Sequence, residues 1–486
     1  MSNVIALPAP TRRRTRWYET LWDLPVTTFW GCFATVLGLM TWNAFWRLGD
    51  TFVRDYDEGR YGVAASEMLH RHSVLVTTYA GATEFWNLKP PLGYWLLELS
   101  YCLVGENPLG LRLPAACCAL VTTALTMLLT RRVAGCRAAI LAGIFIATSF
   151  GFLAHHGARS GELDAPLALL MFISLMLAPR MFDSRVARLA LGLVLSLAFL
   201  LKSFAILPFV AALGAYGLLT RGTAAWRAWV LPVCITVGVT AIWAVARCAA
   251  EDSNEFVRRM FVEDLLLRST TAIDPVRPSW LDYLGALFDR LAPWPLIVLI
   301  AWALSARFAQ RRLSGDFACL LWCYCLIPLL LFTLARTHHS HYIIPLYPAW
   351  AILGAVATME VLQAAGRIQW TAPVVYLLTL CALACEVRLM TKVELRDRLP
   401  PGQIFLTSLQ ERIPRGTLLY TSFTPSYSER FFLQAVDGLE LQAASRDTHS
   451  AFVLVKKSDP EQRTLVSSQK ATVLAQQEDY ALLRTP

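Results

Sequence analysis

The chain has 486 residues, 56 % of them hydrophobic and only 16 % charged, where a soluble protein carries about 25 % charged side chains. The net charge of +9 comes from arginines in short loops between apolar runs, a pattern that orients a membrane protein and excludes nucleic acid as the partner. Twelve cysteines lie mostly inside apolar runs and none falls in the last hundred residues, which excludes a disulfide framework and favours small packing residues in helices.

"RRRTRW" precedes the first apolar segment without a small-residue cleavage site, so that segment reads as a retained span. Spans are expected at 26–47, 111–130, 137–155, 164–181, 188–202, 204–220, 227–248, 291–306, 317–334, 342–364 and 371–389. Residues 90–105 are apolar too, but a crossing there would invert every later loop. With a cytoplasmic N-terminus and 90–105 lying in the interface, each arginine-rich short loop obeys the positive-inside rule. The opposite, exoplasmic face then receives 48–90, 155–163, the junction at Lys202, 250–290 and 335–341. After about residue 390, short β-prone runs alternate with Pro, Gly, Ser and Asp. The expected fold is an α-helical polytopic membrane domain (1–389) with an interfacial first exoplasmic loop (48–110), followed by a small C-terminal α/β domain (390–486) on the exoplasmic side.

The polar residues of that face are the candidates for chemistry. "DEGRY" places Asp57 and Glu58 at the start of a helical pattern, where acids also serve as plain N-terminal caps. In "LKPPL", Lys89 precedes two prolines and is held extended, suited to a phosphate; snorkelling to headgroups is the bland alternative. Arg159 and Asp164 sit at the mouth of a span. Lys202 interrupts about 30 apolar residues, so a partner is expected, and Asp164 is the candidate. "FVRRMFVEDLLLR" carries Glu263, Asp264 and Arg268. "RTHHSHY" offers His338, His339 and His341, but no acidic or thiol partner lies in the same loop, so no metal site is assigned.

In order, "DEGRY" (57–61), "KPPL" (89–92), "GENPLGLRLPAA" (105–116), "ELDAPLA" (162–168), "FLLK" (199–202) and "HYIIPLYPA" (341–349) resemble the GT-C fold membrane glycosyltransferases. The branch is that of the lipid A aminoarabinose transferases and the dolichyl-phosphate-mannose protein mannosyltransferases. The resemblance implies a polyprenyl-phosphate-linked sugar donor, attack by an acceptor on the anomeric carbon, and departure of polyprenyl phosphate. By motif position, Asp57 becomes the base or its organiser and Asp164 the second catalytic acid. Lys89 and Lys202 become phosphate-side cations with Arg60 and Arg159 as neighbours, and Glu58, Arg268, His338 and Tyr342 complete the substrate-binding set. Three positions depart from the branch: Leu88 replaces a Glu, Asp264 a His, and His338 a Lys. No cofactor is implied, and a divalent metal stays open. The expected partners are the donor, an envelope glycolipid acceptor (lipid A or lipopolysaccharide core) and the bilayer. The expected location is the inner membrane, with the active site and C-terminus periplasmic. A lipid-linked sugar flippase and a protein O-glycosyltransferase are the alternatives. A flippase would spread polar residues through the bilayer depth rather than collect them on one face.

Overall fold

The computed structural model describes residues 26–85, 88–154, 156–250, 253–267, 281–283, 285, 286, 294, 313, 315–367, 371–444, 450–456, 471–477 and 479–485. The expected span 291–306, apart from Trp294, lies outside the described residues, as do Arg268 and the N-terminal arginines.

The apolar runs form helices α1 (Val26–Phe45), α4 (Pro108–Ala134), α5 (Cys136–Ala147), α6 (Asp164–Leu177), α7 (Arg185–Lys202), α8 (Leu207–Arg221), α9 (Trp226–Ala250), α10 (Gly315–Leu334), α11 (Tyr347–Arg367) and α12 (Thr371–Thr391). Among the described residues, five helical stretches are long and apolar enough to cross a membrane, one of them the 66-residue run Arg185–Ala250 that contains α7, α8 and α9. The helix ends follow local chemistry. Asn107 accepts from the Gly110 N–H at the start of α4, with Pro108 in its first turn, and Ser184 accepts from the Ala187 N–H at the start of α7. Inside α4, Thr122, Thr123, Thr126 and Thr130 each donate to the carbonyl four residues back, so their hydroxyls need no water. Gly192 lets α7 approach α9: a Cβ there would lie 2.9 Å from Ile235 Cβ.

Two further helices fill the stretch between α1 and α4. They are α2 (Asp57–Arg71), which opens on "DEGRY", and α3 (Leu92–Val104), which is 13 residues long and follows "LKPP". At 1.5 Å per residue α3 covers about 20 Å, short of the roughly 30 Å hydrocarbon core. A two-stranded ribbon, β1 (Thr78–Tyr79) with β2 (Ala82–Thr83), lies between α2 and α3.

After α12 the chain forms a five-stranded mixed sheet of β3 (Leu418–Thr421), β4 (Glu440–Ala443), β5 (Phe452–Lys456), β6 (Thr472–Gln476) and β7 (Tyr480–Arg484), in the order β4-β3-β5-β7-β6. β3 runs parallel to β4 and β5, while β7 is antiparallel to β5 and β6. Helices α13 (Pro401–Thr407) and α14 (Tyr427–Arg430) join this sheet to the stretch containing α2. Gln403 donates to the Val53 carbonyl and accepts from the Val53 N–H, at 2.7 and 2.9 Å. The Phe52 N–H donates to the Asp397 carbonyl, and the Ser428 N–H donates to Asp55 Oδ1 at 2.8 Å. Gly59 is the contact point: a Cβ there would sit 2.7 Å from the carbonyl carbon of Tyr427. The sheet is thus stitched to both flanks of Asp57.

Candidate functional site

α6 and α7 are antiparallel neighbours, so Asp164, the first residue of one, meets Lys202, the last residue of the other. Each charge suits its helix end: an acid at the positive N-terminus, a cation at the negative C-terminus. Lys202 Nζ donates to Asp164 Oδ1 at 2.5 Å, with the two side chains 12 and 3 % exposed. The partner expected for Lys202 is therefore in place. Immediately after Lys202, Ser203 takes a left-handed φ of 53° and ends α7. Its hydroxyl donates to Asp264 Oδ2 at 3.1 Å, and the other Asp264 oxygen receives Lys89 Nζ at 3.3 Å. Lys89 lies in irregular chain ahead of Pro90 and is 7 % exposed.

These two ammonium–carboxylate pairs, with Tyr342, line one cavity of about 250 Å³. Its other walls are apolar and include Leu167, Phe204, Phe209, Leu331 and Phe332. The lining thus combines two ammonium groups, each held by a carboxylate, with hydrocarbon walls, a combination suited to an amphiphile.

Asp57 opens α2 and is half-buried, behind Tyr56 in a left-handed conformation at φ 65°. One oxygen of Asp57 lies within 4.8 Å of ligand atoms on His156 and Glu162.

The structure sends several residues of the expected binding set elsewhere. Glu58 turns inward, 1 % exposed. It takes Arg112 Nε at 2.7 Å, the Arg54 N–H at 2.9 Å and the Gly161 N–H at 2.9 Å. Burial alone would raise its pKa, but the Arg112 guanidinium, with the charge and N–H of Arg54, outweighs burial and holds it below the ordinary carboxylate value. Glu58 is thus engaged with its own chain rather than open to a substrate. Arg60 forms a two-bond pair with Glu84, at 2.5 and 2.6 Å, and stacks over Tyr79 and Tyr427. Arg159 donates to the carbonyls of Asn43, Ala44 and Trp46, closing the C-terminal end of α1. His338 turns Nε2 to the Thr333 and Ala335 carbonyls at the end of α10 and Nδ1 to Asp282, so it caps a helix. Arg268 lies outside the described residues. The cavity therefore gathers Lys89, Asp164, Lys202 and Tyr342 from the expected set.

Ser203, Arg112, Glu84, His156 and Glu162 were not among the expected site residues, and Asp264 was a candidate without an assigned role. Asp264 carried a signal, as an acid in an amphipathic stretch, but nothing in the sequence ties it to a lysine 175 positions away.

Residues 88–248 match the family described as dolichyl-phosphate-mannose-protein mannosyltransferase. The chain is 27 % identical over 321 residues to an undecaprenyl phosphate-α-4-amino-4-deoxy-L-arabinose arabinosyl transferase of Pseudomonas fluorescens, covering 64 % of this chain and 53 % of that protein. It is 30 % identical over 326 residues to the transferase of the same name in Pseudomonas aeruginosa, covering 63 and 56 %. The chain thus spans about half the length of the curated relatives it matches. Among solved structures it superposes on ArnT of Cupriavidus metallidurans bound to undecaprenyl phosphate, with TM-score 0.73, 18 % identity and coverage of 94 % of this chain and 98 % of that one. The oligosaccharyltransferase of Archaeoglobus fulgidus gives TM-score 0.53, 12 % identity and coverage of 89 and 65 %. The fold is GT-C, a multi-pass helical membrane domain with a small C-terminal sheet domain.

Proposed function

We propose that this GT-C fold membrane protein, related in sequence to the aminoarabinose and protein-mannosyl transferases, is a polyprenyl-phosphate-sugar-dependent glycosyltransferase. It moves a sugar onto a hydroxyl or phosphate of an envelope glycolipid, in the class of lipid A or lipopolysaccharide core, at the periplasmic face of the inner membrane. The observation that carries this reading is the apolar cavity bearing Lys89 and Lys202, which suits a phosphate attached to a lipid.

In the reaction, the acceptor oxygen attacks the anomeric carbon while the bond from that carbon to the donor phosphate breaks. Polyprenyl phosphate leaves with the electron pair, and the lysine ammonium groups stabilise its growing charge. Asp57 takes the proton of an acceptor hydroxyl, or orients the group that does. Asp164 keeps Lys202 at the cavity wall and Asp264 does the same for Lys89, so each cation is present before the donor arrives. The C-terminal sheet domain holds Asp57 in register through Gly59, Asp55 and Val53.

The test is reconstitution of the purified chain in liposomes with envelope lipid extract. Release of free polyprenyl phosphate should require both acceptor lipid and Asp57. Release by Asp57→Asn at the wild-type rate would contradict the role given to Asp57, and movement of the intact donor across the bilayer without cleavage would favour a flippase.

A further inference from the structure

Between the two acids that flank the start of α2 stands a tyrosine that faces outward. Asp55 Oδ1 accepts from the Ser428 N–H at 2.8 Å, and Asp57 opens the helix. Tyr56, between them, takes φ 65° and ψ −121° and is 68 % exposed. A left-handed φ is an outlier for a bulky aromatic residue, and so exposed a ring gains little from burial in return. Backbone strain kept in place by its surroundings collects at functional sites. Here the surroundings are the Gly59 N–H on the Arg54 carbonyl at 3.1 Å and the Arg60 N–H on the Tyr56 carbonyl at 3.0 Å.

The ring ends a row built from three separate segments. Tyr427, the first residue of α14, has its ring centroid 6.0 Å from that of Tyr56 and 5.5 Å from that of Tyr79 in β1. The Arg60 guanidinium, paired with Glu84, lies 4.6 Å from the Tyr79 centroid and 5.0 Å from the Tyr427 centroid, which fixes both rings. Arg430, the last residue of α14, lies 5.6 Å from the Tyr79 centroid and donates Nη1 to Gln434 Oε1 at 3.0 Å. Neither of those partners carries a charge. Among the described residues no carboxylate pairs with Arg430, and its buried Nε meets no hydrogen-bond acceptor.

From this row we propose that Tyr56, Tyr427 and Arg430 form the acceptor subsite, which seats a phosphorylated sugar head group. The inference rests on the reading of the acceptor as an envelope glycolipid. A tyrosine ring offers an apolar face to the C–H side of a sugar and a hydroxyl to its polar edge. A guanidinium without an acidic partner suits a phosphate, which it meets with two parallel N–H donors. The aromatic row alone would accept any sugar; Arg430 selects a phosphorylated one. Because the row ends at the residue before Asp57, a head laid along it is delivered to the base. The sheet domain supplies Tyr427 and Arg430, so its attachment to both flanks of Asp57 joins acceptor recognition to the reaction centre.

Calorimetry on the detergent-solubilised full chain, with no donor present, reads acceptor binding apart from transfer. The probe is lipid A stripped of its acyl chains, used with its phosphates and again after phosphatase treatment. The expected result is saturable binding of the phosphorylated head and at least about tenfold weaker binding of the phosphate-free one. Arg430→Gln should bind both heads alike and weakly. Tyr56→Gly should lose at least about tenfold in affinity, while Tyr56→Phe, which keeps the ring, should retain most of it. Glycine fits the left-handed backbone, so Tyr56→Gly should melt close to wild type, which separates a lost contact from a lost fold. In steady-state kinetics Tyr56→Gly and Arg430→Gln should raise the acceptor KM and leave the donor KM unchanged. Binding is read without transfer, so a failure of sugar transfer leaves the binding result standing. Transfer at the wild-type acceptor KM in both variants would overturn the subsite and leave the glycosyltransferase reading intact. Equal affinity of wild type for the two heads would also overturn it, as would wild-type affinity in both variants or no binding of either head by folded wild type.

Discussion

Arg112 is 1 % exposed and has Glu58, at 1 %, as its ionic partner. Its guanidinium also donates to the carbonyls of Leu48, Thr51 and Phe52 and to the Thr51 hydroxyl, at 2.6 to 3.1 Å. Arg112→Met removes all of these bonds and leaves the Glu58 carboxylate buried, with the Arg54 and Gly161 N–H donors still in place. Breaking a buried pair by removing one partner costs about 3–5 kcal/mol, because the remaining charge is no longer compensated. At roughly 2 °C per kcal/mol for a large chain, Tm should fall by about 6–10 °C. The 16 tryptophans supply the fluorescence signal for a melt in detergent. If the stranded charge is the cause, adding Glu58→Gln should restore stability by at least about 2 kcal/mol, since the double variant leaves no charge at either of these two positions. A double variant no more stable than Arg112→Met would refute the reasoning, as would a single variant melting within a degree of wild type.

Three further outcomes follow from the geometry. Lys89→Ala should raise the apparent KM for the lipid donor at least tenfold, since it removes one of two cations from the cavity; steady-state kinetics at varied donor checks this. Gly59→Ala should detach the sheet domain from α2, because its Cβ would meet the Tyr427 carbonyl carbon at 2.7 Å, and limited proteolysis should then cut the linker faster while activity falls. Asp437 is fully buried, and burial pushes its pKa up to about 8 against the pull of Arg415. The folded state therefore holds a proton that the unfolded chain releases near pH 4, so stability falls as pH rises from about 4 to 8 and is flat above, by on the order of a few kcal/mol. Asp437→Asn should remove that slope, as Tm at pH 5.5 and pH 8.5 will show.

The helices were legible because the apolar run length is set by the bilayer. The expected spans 111–130, 188–202 and 371–389 fall inside α4, α7 and α12. Residues 90–105 were read as a non-crossing helix because only that reading kept the arginine loops consistent; the structure makes α3 a helix of 13 residues. The Asp164–Lys202 pair was legible as well, since an isolated lysine in an apolar stretch demands a counter-charge. Which of two adjacent acids turns inward was not legible. Glu58 was grouped with Asp57 by adjacency, yet successive helix positions point about 100° apart and Arg112 claims one of them. Arg159 looked like a site cation, but it serves the bare carbonyls at the end of α1, 113 to 116 positions away. His341 was weighed against donors in its own loop, whereas its nearest ring neighbour outside that loop is His156. Pairings at such separations depend on how helices pack, and local periodicity does not carry that information.

The central claim is sugar transfer to an envelope lipid that depends on Asp57. The most direct measurement is mass spectrometry of envelope glycolipids from a deletion strain complemented with wild type or with Asp57→Asn at equal expression. The account predicts a sugar-sized mass increment on one glycolipid class with wild type and its absence with Asp57→Asn. The same increment with both would contradict it.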